Sequence, residues 1–169
     1  KTAPPLDAFL DSYPQGYFGS SKLDAKTQTA CPLWICKVGK INTPNLSTFT
    51  SMRTVLQYHW YAMEVALSSA LVSTSATYNL NPIESRCLVI LDLKNLTLRD
   101  CTNSVSLAIV KTQAAIDSLA YPETMFRSVI KDPPGFFKMT WALIKGWVDA
   151  RTASKIELQS GRRGIERIV

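Results

Sequence analysis

The 169-residue chain predicts an α/β fold with a largely parallel sheet. Three observations carry this prediction. "RCLVILDL", Arg86 to Leu93, is a nearly unbroken apolar run rich in branched residues, the pattern of a strand covered on both faces. Two longer stretches repeat apolar residues at helical spacing instead. Strand-like and helix-like segments then alternate along the chain, the order that crossover connections require.

The first 20 residues, rich in Pro, Gly and Tyr, read as an irregular opening segment with at most a short helix. "SKLDAKTQTA" is a polar connection, and "CPLWICKVG" is the first strand. Thr50 to Ser73 is the longest helical candidate, with Met52, Val55, Leu56, Met63, Val65, Ala66, Ala70 and Leu71 recurring on its apolar side. After the Arg86–Leu93 strand, a helix begins at Asp100, placing Val105, Ala108, Ile109, Ala115, Ile116 and Leu119 on one face and Lys111 and Asp117 outward. It stops near Tyr121, because Pro122 disfavours helical geometry in the residue before it.

"MFRSVI" is the third strand, ended by "KDPPG". The next segment, "GFFKMTWALIKGWV" from 135 to 148, reads as a helix apolar over most of its circumference, with Lys138 and Lys145 on one narrow stripe. At roughly 21 Å it is too short to cross a bilayer. It must pack into a core, cover a cavity or lie on a membrane surface. "RTASK" by itself is a short polar connection, "KIELQ" is the fourth strand, and "GRRGIERIV" has the character of a starting basic helix.

A hydrophobic content of 46% suffices for one domain spanning residues 1–169. The net charge of +6 suits a protein that visits anionic surfaces, yet is common among ordinary domains; no nucleic-acid partner is expected. The four cysteines, Cys31, Cys36, Cys87 and Cys101, lack zinc spacing, and His59 is remote from them, so no metal is expected. Reduced thiols are the simpler reading, with a disulfide the alternative. No apolar run has transmembrane length, and Lys1 to Leu10 does not resemble a signal peptide, which leads to a cytoplasmic expectation. The chain begins without Met, as an excised or processed segment would.

Motifs for nucleotide binding or hydrolysis (GxGxxG, GxxxxGK[ST], GxSxG) do not occur, and His59 has no evident triad partners, so no enzyme is expected. Asp92, closing its strand, reads as a cap for the turn through Lys94 and Asn95. Glu123, after Tyr-Pro, reads singly as a solvated loop residue.

Together, however, "YPQGYFG", "PLWICKVGKIN", "LVILDLKNLTL", "YPETMFRSVIKDPPGFF", the apolar helix and "VDARTASKIEL" follow one another in an order that resembles the CRAL-TRIO lipid-binding domain, the family of secretory phosphatidylinositol-transfer proteins and of tocopherol- and retinal-binding proteins. The resemblance runs from about Ser12 to Ser160. It implies a mixed sheet and flanking helices enclosing an apolar cavity for one lipid, with the segment Phe136 to Val148 as a mobile gate. Phe136, Phe137, Trp141, Ile144, Val148, Trp34 and Val89 are the implied cavity and gate residues. Phe136, Phe137, Trp141 and Trp147 are candidates to touch a membrane when the gate opens.

The family's phosphoinositide pattern falls on Glu123, Thr152 and Lys155: Lys155 would meet the headgroup, Thr152 would donate a hydrogen bond, and Glu123 would hold the lysine. The resemblance thus implies a carrier of phosphatidylinositol or a phosphoinositide, acting peripherally at membranes, with the phospholipid as ligand and no cofactor. Two features depart from the pattern. Cys87 and Val89 stand where the phosphatidylcholine pattern has hydroxyl residues, and the family's N-terminal helical subdomain is not in the chain given. They motivate the alternative of an interaction or regulatory module of a larger protein that does not transfer lipid.

Overall fold

A computed structural model describes residues 6–22, 30–79 and 86–161. Most of "SKLDAKTQTA" and all of "GRRGIERIV" after Gly161 lie outside the described residues. Helix α1 (Leu6–Ser12) leads into strand β1 (Gln15–Ser20), and β2 (Pro32–Cys36) ends in a 3-10 turn, Val38–Lys40. Helix α2 (Thr43–Phe49) follows, then α3 (Met52–Tyr61), a π turn (Ala62–Ala66) and α4 (Leu67–Tyr78). β3 (Cys87–Asp92) is followed by α5 (Leu98–Thr102) and α6 (Ser104–Ala120), and β4 (Met125–Lys131) by α7 (Phe137–Lys145), α8 (Ala150–Ser154) and β5 (Ile156–Gln159).

Among the described residues the strands form one sheet in the order β1-β2-β3-β4-β5, with β1 antiparallel and the other pairs parallel. Spatial order equals chain order. Right-handed crossovers therefore carry the helices to one face. The register agrees: Cys36, Leu91 and Ile130 form one row across β2, β3 and β4, and residues of α1, α3, α5 and α7 cluster on them. Trp34 and Val89 lie opposite each other on the same face, two residues up the strands. The other face carries Leu33, Ile35, Leu88 and Ile90. Val129, on that face in the centre of the sheet, is fully buried.

Three sequence expectations need correction, and one helix lies where the sequence assigned no element. The opening segment is not irregular: Gln15 to Ser20 pairs with β2, Gly19 takes φ +68 where the register shifts, and the Tyr17 ring meets Trp34 edge-on at 4.8 Å. Pairing makes this strand, and composition conceals it. The segment Thr43–Phe49 is helical, started by Asn42, whose side chain accepts from the Asn45 amide at 2.9 Å. "RTAS" is a helical turn, because the Asp149 carboxylate accepts from the Thr152 amide at 2.9 Å. The apolar helix is shorter than predicted: it ends at Lys145, so Val148 lies beyond it.

The long helical candidate is continuous from Met52 to Tyr78, but its π turn adds a residue to one turn and rotates the apolar stripe. As a result α3 faces α6 while α4 lies along β1 and β2. Asp92 caps its turn as predicted, accepting from the Lys94 amide at 3.0 Å, and Asn95 adopts φ +71. Gly39 is obligatory for another reason: a Cβ there would come within 2.0 Å of the Lys94 carbonyl oxygen. The turn after β2 thus rests directly on the turn after β3.

Candidate functional site: a charged cluster and an apolar cavity at opposite ends of the sheet

The Tyr121-Pro122-Glu123-Thr124 turn enters β4. Pro122 supplies the fixed φ of the second position, and Glu123 takes φ +65 in the third, where glycine or asparagine is the unstrained choice. This strain holds a carboxylate next to the start of β5. Lys155, the last residue before β5, donates from Nζ to Glu123 Oε2 at 3.0 Å and to the Met125 carbonyl at 3.1 Å. The other carboxylate oxygen, Oε1, faces Arg151 Nε at 3.1 Å. Lys155 is the most enclosed of the three, with 19% of its side chain exposed. Its hydrogen bond, with Arg151 and Arg86 adding to the field, holds the Glu123 carboxyl below the usual carboxylate range.

Thr152 sits one helical turn before Lys155 and Ile156, but its hydroxyl donates to Asp149 Oδ2 at 2.6 Å, completing the cap of α8. The structure therefore brings Glu123 and Lys155 together and turns the Thr152 hydroxyl toward Asp149. Arg151 was absent from the predicted set. Its signal was its position four residues before Lys155, which becomes a shared face only once α8 is known to be a helix.

At the other end of the strands lies a cavity of about 260 Å³. Its walls include Val38 and Leu96, just past β2 and β3, Val55 of α3, Ile109 of α6, and Phe137 and Ile144 of α7. The lining is mostly apolar, with polar side chains such as Thr43, Thr50, Asp100, Ser106 and Thr140 among it. Of the predicted cavity and gate residues, Phe137 and Ile144 line this space. Phe136 and Trp141 pack on the neighbouring cluster of Leu93, Cys101 and Ile130. Trp34 and Val89 face the helices from the sheet without lining the cavity, and neither does Val148.

The large exposed apolar groups of α7 are not its aromatic residues but Met139, 82% exposed, and Leu143, and the neighbouring α5 exposes Leu98. Burial pushes the Cys36 and Cys87 thiols up to about 12, so neither is a nucleophile at neutral pH. All four cysteines are buried, and none of them forms a disulfide. His59 is tied to Asp117 at 2.6 Å, a helix-to-helix contact between α3 and α6. Among the described residues no group of acidic, histidine and cysteine side chains could hold a metal ion, and no helix is long and apolar enough to cross a membrane.

Comparison with known proteins adds a family. The model of the CRAL/TRIO domain matches residues 20–166. The phosphatidylinositol/phosphatidylcholine transfer protein SFH4 of Arabidopsis thaliana is 32% identical over 155 residues, covering 92% of this chain and 24% of that protein. SFH13, a transfer protein of the same description from the same plant, is 29% identical over 154 residues, covering 90% of this chain and 23% of its own length. The chain thus spans about a quarter of the length of these relatives. The crystal structure of Sfh5 shares the fold with a TM-score of 0.68 at 17% identity, over 94% of this chain and 50% of that one. A family pattern that extends from the end of β1 to beyond β5, on a parallel sheet with its helices on one face, makes this chain a member of the CRAL/TRIO domain family.

Proposed function

We propose that this chain binds one phospholipid, phosphatidylinositol or a phosphorylated form of it, between its sheet and helical layer, and carries or presents it between membranes without catalysing a reaction. The observation that carries this reading is the pairing of ends. A charged cluster, Glu123 with Lys155, stands where β4 and β5 begin, and an apolar cavity stands where β2, β3 and β4 finish. The seven residues of β4 set the two roughly 20 Å apart, a span suited to a lipid with a polar head and a long chain.

Shielding a chain from water is worth roughly 25 cal/mol per Å² of apolar area, so the lipid leaves a bilayer only for an equally apolar enclosure. The cavity of about 260 Å³ falls short of the ~300–1,000 Å³ typical of small-ligand sites. A two-chain lipid therefore requires α7 to swing outward, taking Phe137 and Ile144 with it. Met139 and Leu143, flanked by Lys138, then meet the membrane surface, which makes the protein peripheral and cytoplasmic in action.

Native mass spectrometry after incubation with mixed vesicles tests uptake. A single phospholipid adduct is expected, and inositol-lipid transfer should fall in Lys155→Ala. Unchanged transfer in that variant removes the headgroup assignment. A second reading, a module that binds a protein rather than moving lipid, is favoured by Cys87 and Val89, which put no hydroxyl on the inner sheet face. A chain that stays lipid-free yet retains a protein partner supports that reading.

A further inference from the structure

The charged cluster keeps arginine donors that the Glu123–Lys155 pair does not use. Lys155 is largely consumed, with one hydrogen bond to Glu123 and one to the Met125 carbonyl. Arg151 uses only Nε toward Glu123, and its two Nη groups, on a side chain 71% exposed, have no partner among the described residues. Arg86 stands exposed just before β3, where the Cys87 amide donates to the Thr124 carbonyl at 2.8 Å, so it borders the Glu123 turn. Its charge reaches the Glu123 carboxylate. Arg86, Arg151 and Lys155 share this end of the sheet with Glu123, with Asp149 on the cap of α8 and with Glu64 on the Tyr121 hydroxyl; among the described residues the Arg151 Nη groups and the Arg86 guanidinium are the donors that no carboxylate takes up.

We infer that Arg86 and Arg151 form a phosphate-reading rim, so that the headgroup taken at this site is an inositol carrying a phosphomonoester. The inference rests on the headgroup site proposed above. A phosphomonoester carries about −1.5 to −2 charges near neutral pH, more than the phosphodiester that every inositol phospholipid has, so it gains most from two open guanidinium groups. Guanidinium groups present paired N–H donors in the geometry phosphate oxygens accept. Glu123 sharpens the choice: its carboxylate repels a phosphate placed directly on Lys155, leaving that lysine to the ring hydroxyls and directing the phosphate outward to the arginines.

The test uses the whole chain and phosphatidylcholine vesicles containing equal amounts of either phosphatidylinositol or phosphatidylinositol monophosphate. The wild type should take up the monophosphate preferentially. Arg151→Ala and Arg86→Ala should each cut that preference by about fivefold and the double variant by roughly twentyfold, the weight of exposed charge pairs. Arg151→Lys should restore only part of the preference, because it keeps the charge and loses the fork. Arg127→Ala, which removes a separate ion pair with Glu157 at 2.8 Å, should leave the preference intact.

A double arginine variant that keeps the wild-type preference overturns the phosphate rim and leaves the lipid reading standing. Failure of the wild type to take up either lipid overturns the lipid reading. A third arm offers soluble inositol monophosphate: binding there with the same arginine dependence, but no uptake from vesicles, supports the phosphate rim and assigns its ligand to a free headgroup.

Discussion

Lys155 donates to Glu123 across the start of β4 and β5 at 3.0 Å, while the Glu123 backbone is held at φ +65. A glutamate in a left-handed turn is a conformational cost that local sequence does not require. The ion pair gives the cost a purpose, because the strained turn aims the carboxylate at the lysine.

Strain and pairing are separable by substitution. Glu123→Ala loses both cations and keeps the unfavourable φ, whereas Glu123→Gly loses the cations and relaxes the backbone. The glycine variant should be the more stable of the two by about 1 kcal/mol, read as a higher Tm. Equal stability would mean that the turn rearranges without its side chain.

The same carboxylate gives a pH signature. Its folded value lies below the ordinary 4.5, so its stabilising contribution is present above about pH 4.5 and is lost as the pH falls through the lower folded value. Glu123→Gln keeps the backbone strain and removes the charge. The variant should have the lower urea midpoint at pH 7, and the two proteins should converge in acid. A gap that persists under strongly acidic conditions would point away from the ion pair.

Gly39 tests the contact between the turns at the cavity end. An alanine methyl within 2.0 Å of the Lys94 carbonyl oxygen has no flexible neighbour to displace, so two backbone segments must separate. Gly39→Ala should destabilise the chain by about 1–3 kcal/mol, as overpacking does, with a lower urea midpoint at unchanged slope.

Movement of α7 is testable by a reversible lock. The Thr140 hydroxyl lies within hydrogen-bonding reach of the Cys101 thiol, which joins α7 to α5 beside the cavity. Thr140→Cys should form a disulfide on oxidation, arresting lipid uptake, and reductant should restore it. Uptake at the wild-type rate by the oxidised variant would exclude the outward swing of α7.

The two residue classes of α7 should also part company. Phe137 is buried in the cluster with Leu93, Cys101 and Ile130, and Phe137→Ala should cost about 3–5 kcal/mol of stability. Met139 is 82% exposed, so Met139→Ser should leave stability within about 0.5 kcal/mol while weakening sedimentation with anionic vesicles. The reverse pattern would assign α7 to a membrane-independent role.

The sequence by itself determined the alternation of strands and long helices, because "LVILDL" and the periodic faces around Val55 and Ile109 are local records of what each segment must bury. It also determined the Asp92 turn, whose cap lies two residues from its donor, and the ordered motifs that set Glu123 beside Lys155. Tertiary structure alone decided the rest. β1 is a strand because β2 offers it partners, since Pro14, Gly16 and Gly19 carry the local signal of a loop. The rotation of the long helix at its π turn fixes which apolar residues face α6 and which face the sheet, and no short-range pattern encodes it. The apolar helix is hydrophobic on nearly every side, so only its packing chose Phe137 and Ile144 for the cavity and left Met139 in water. Arg86 and Arg151 act on one carboxylate for the same reason: residues 65 apart flank Glu123 only when parallel strands align their starts.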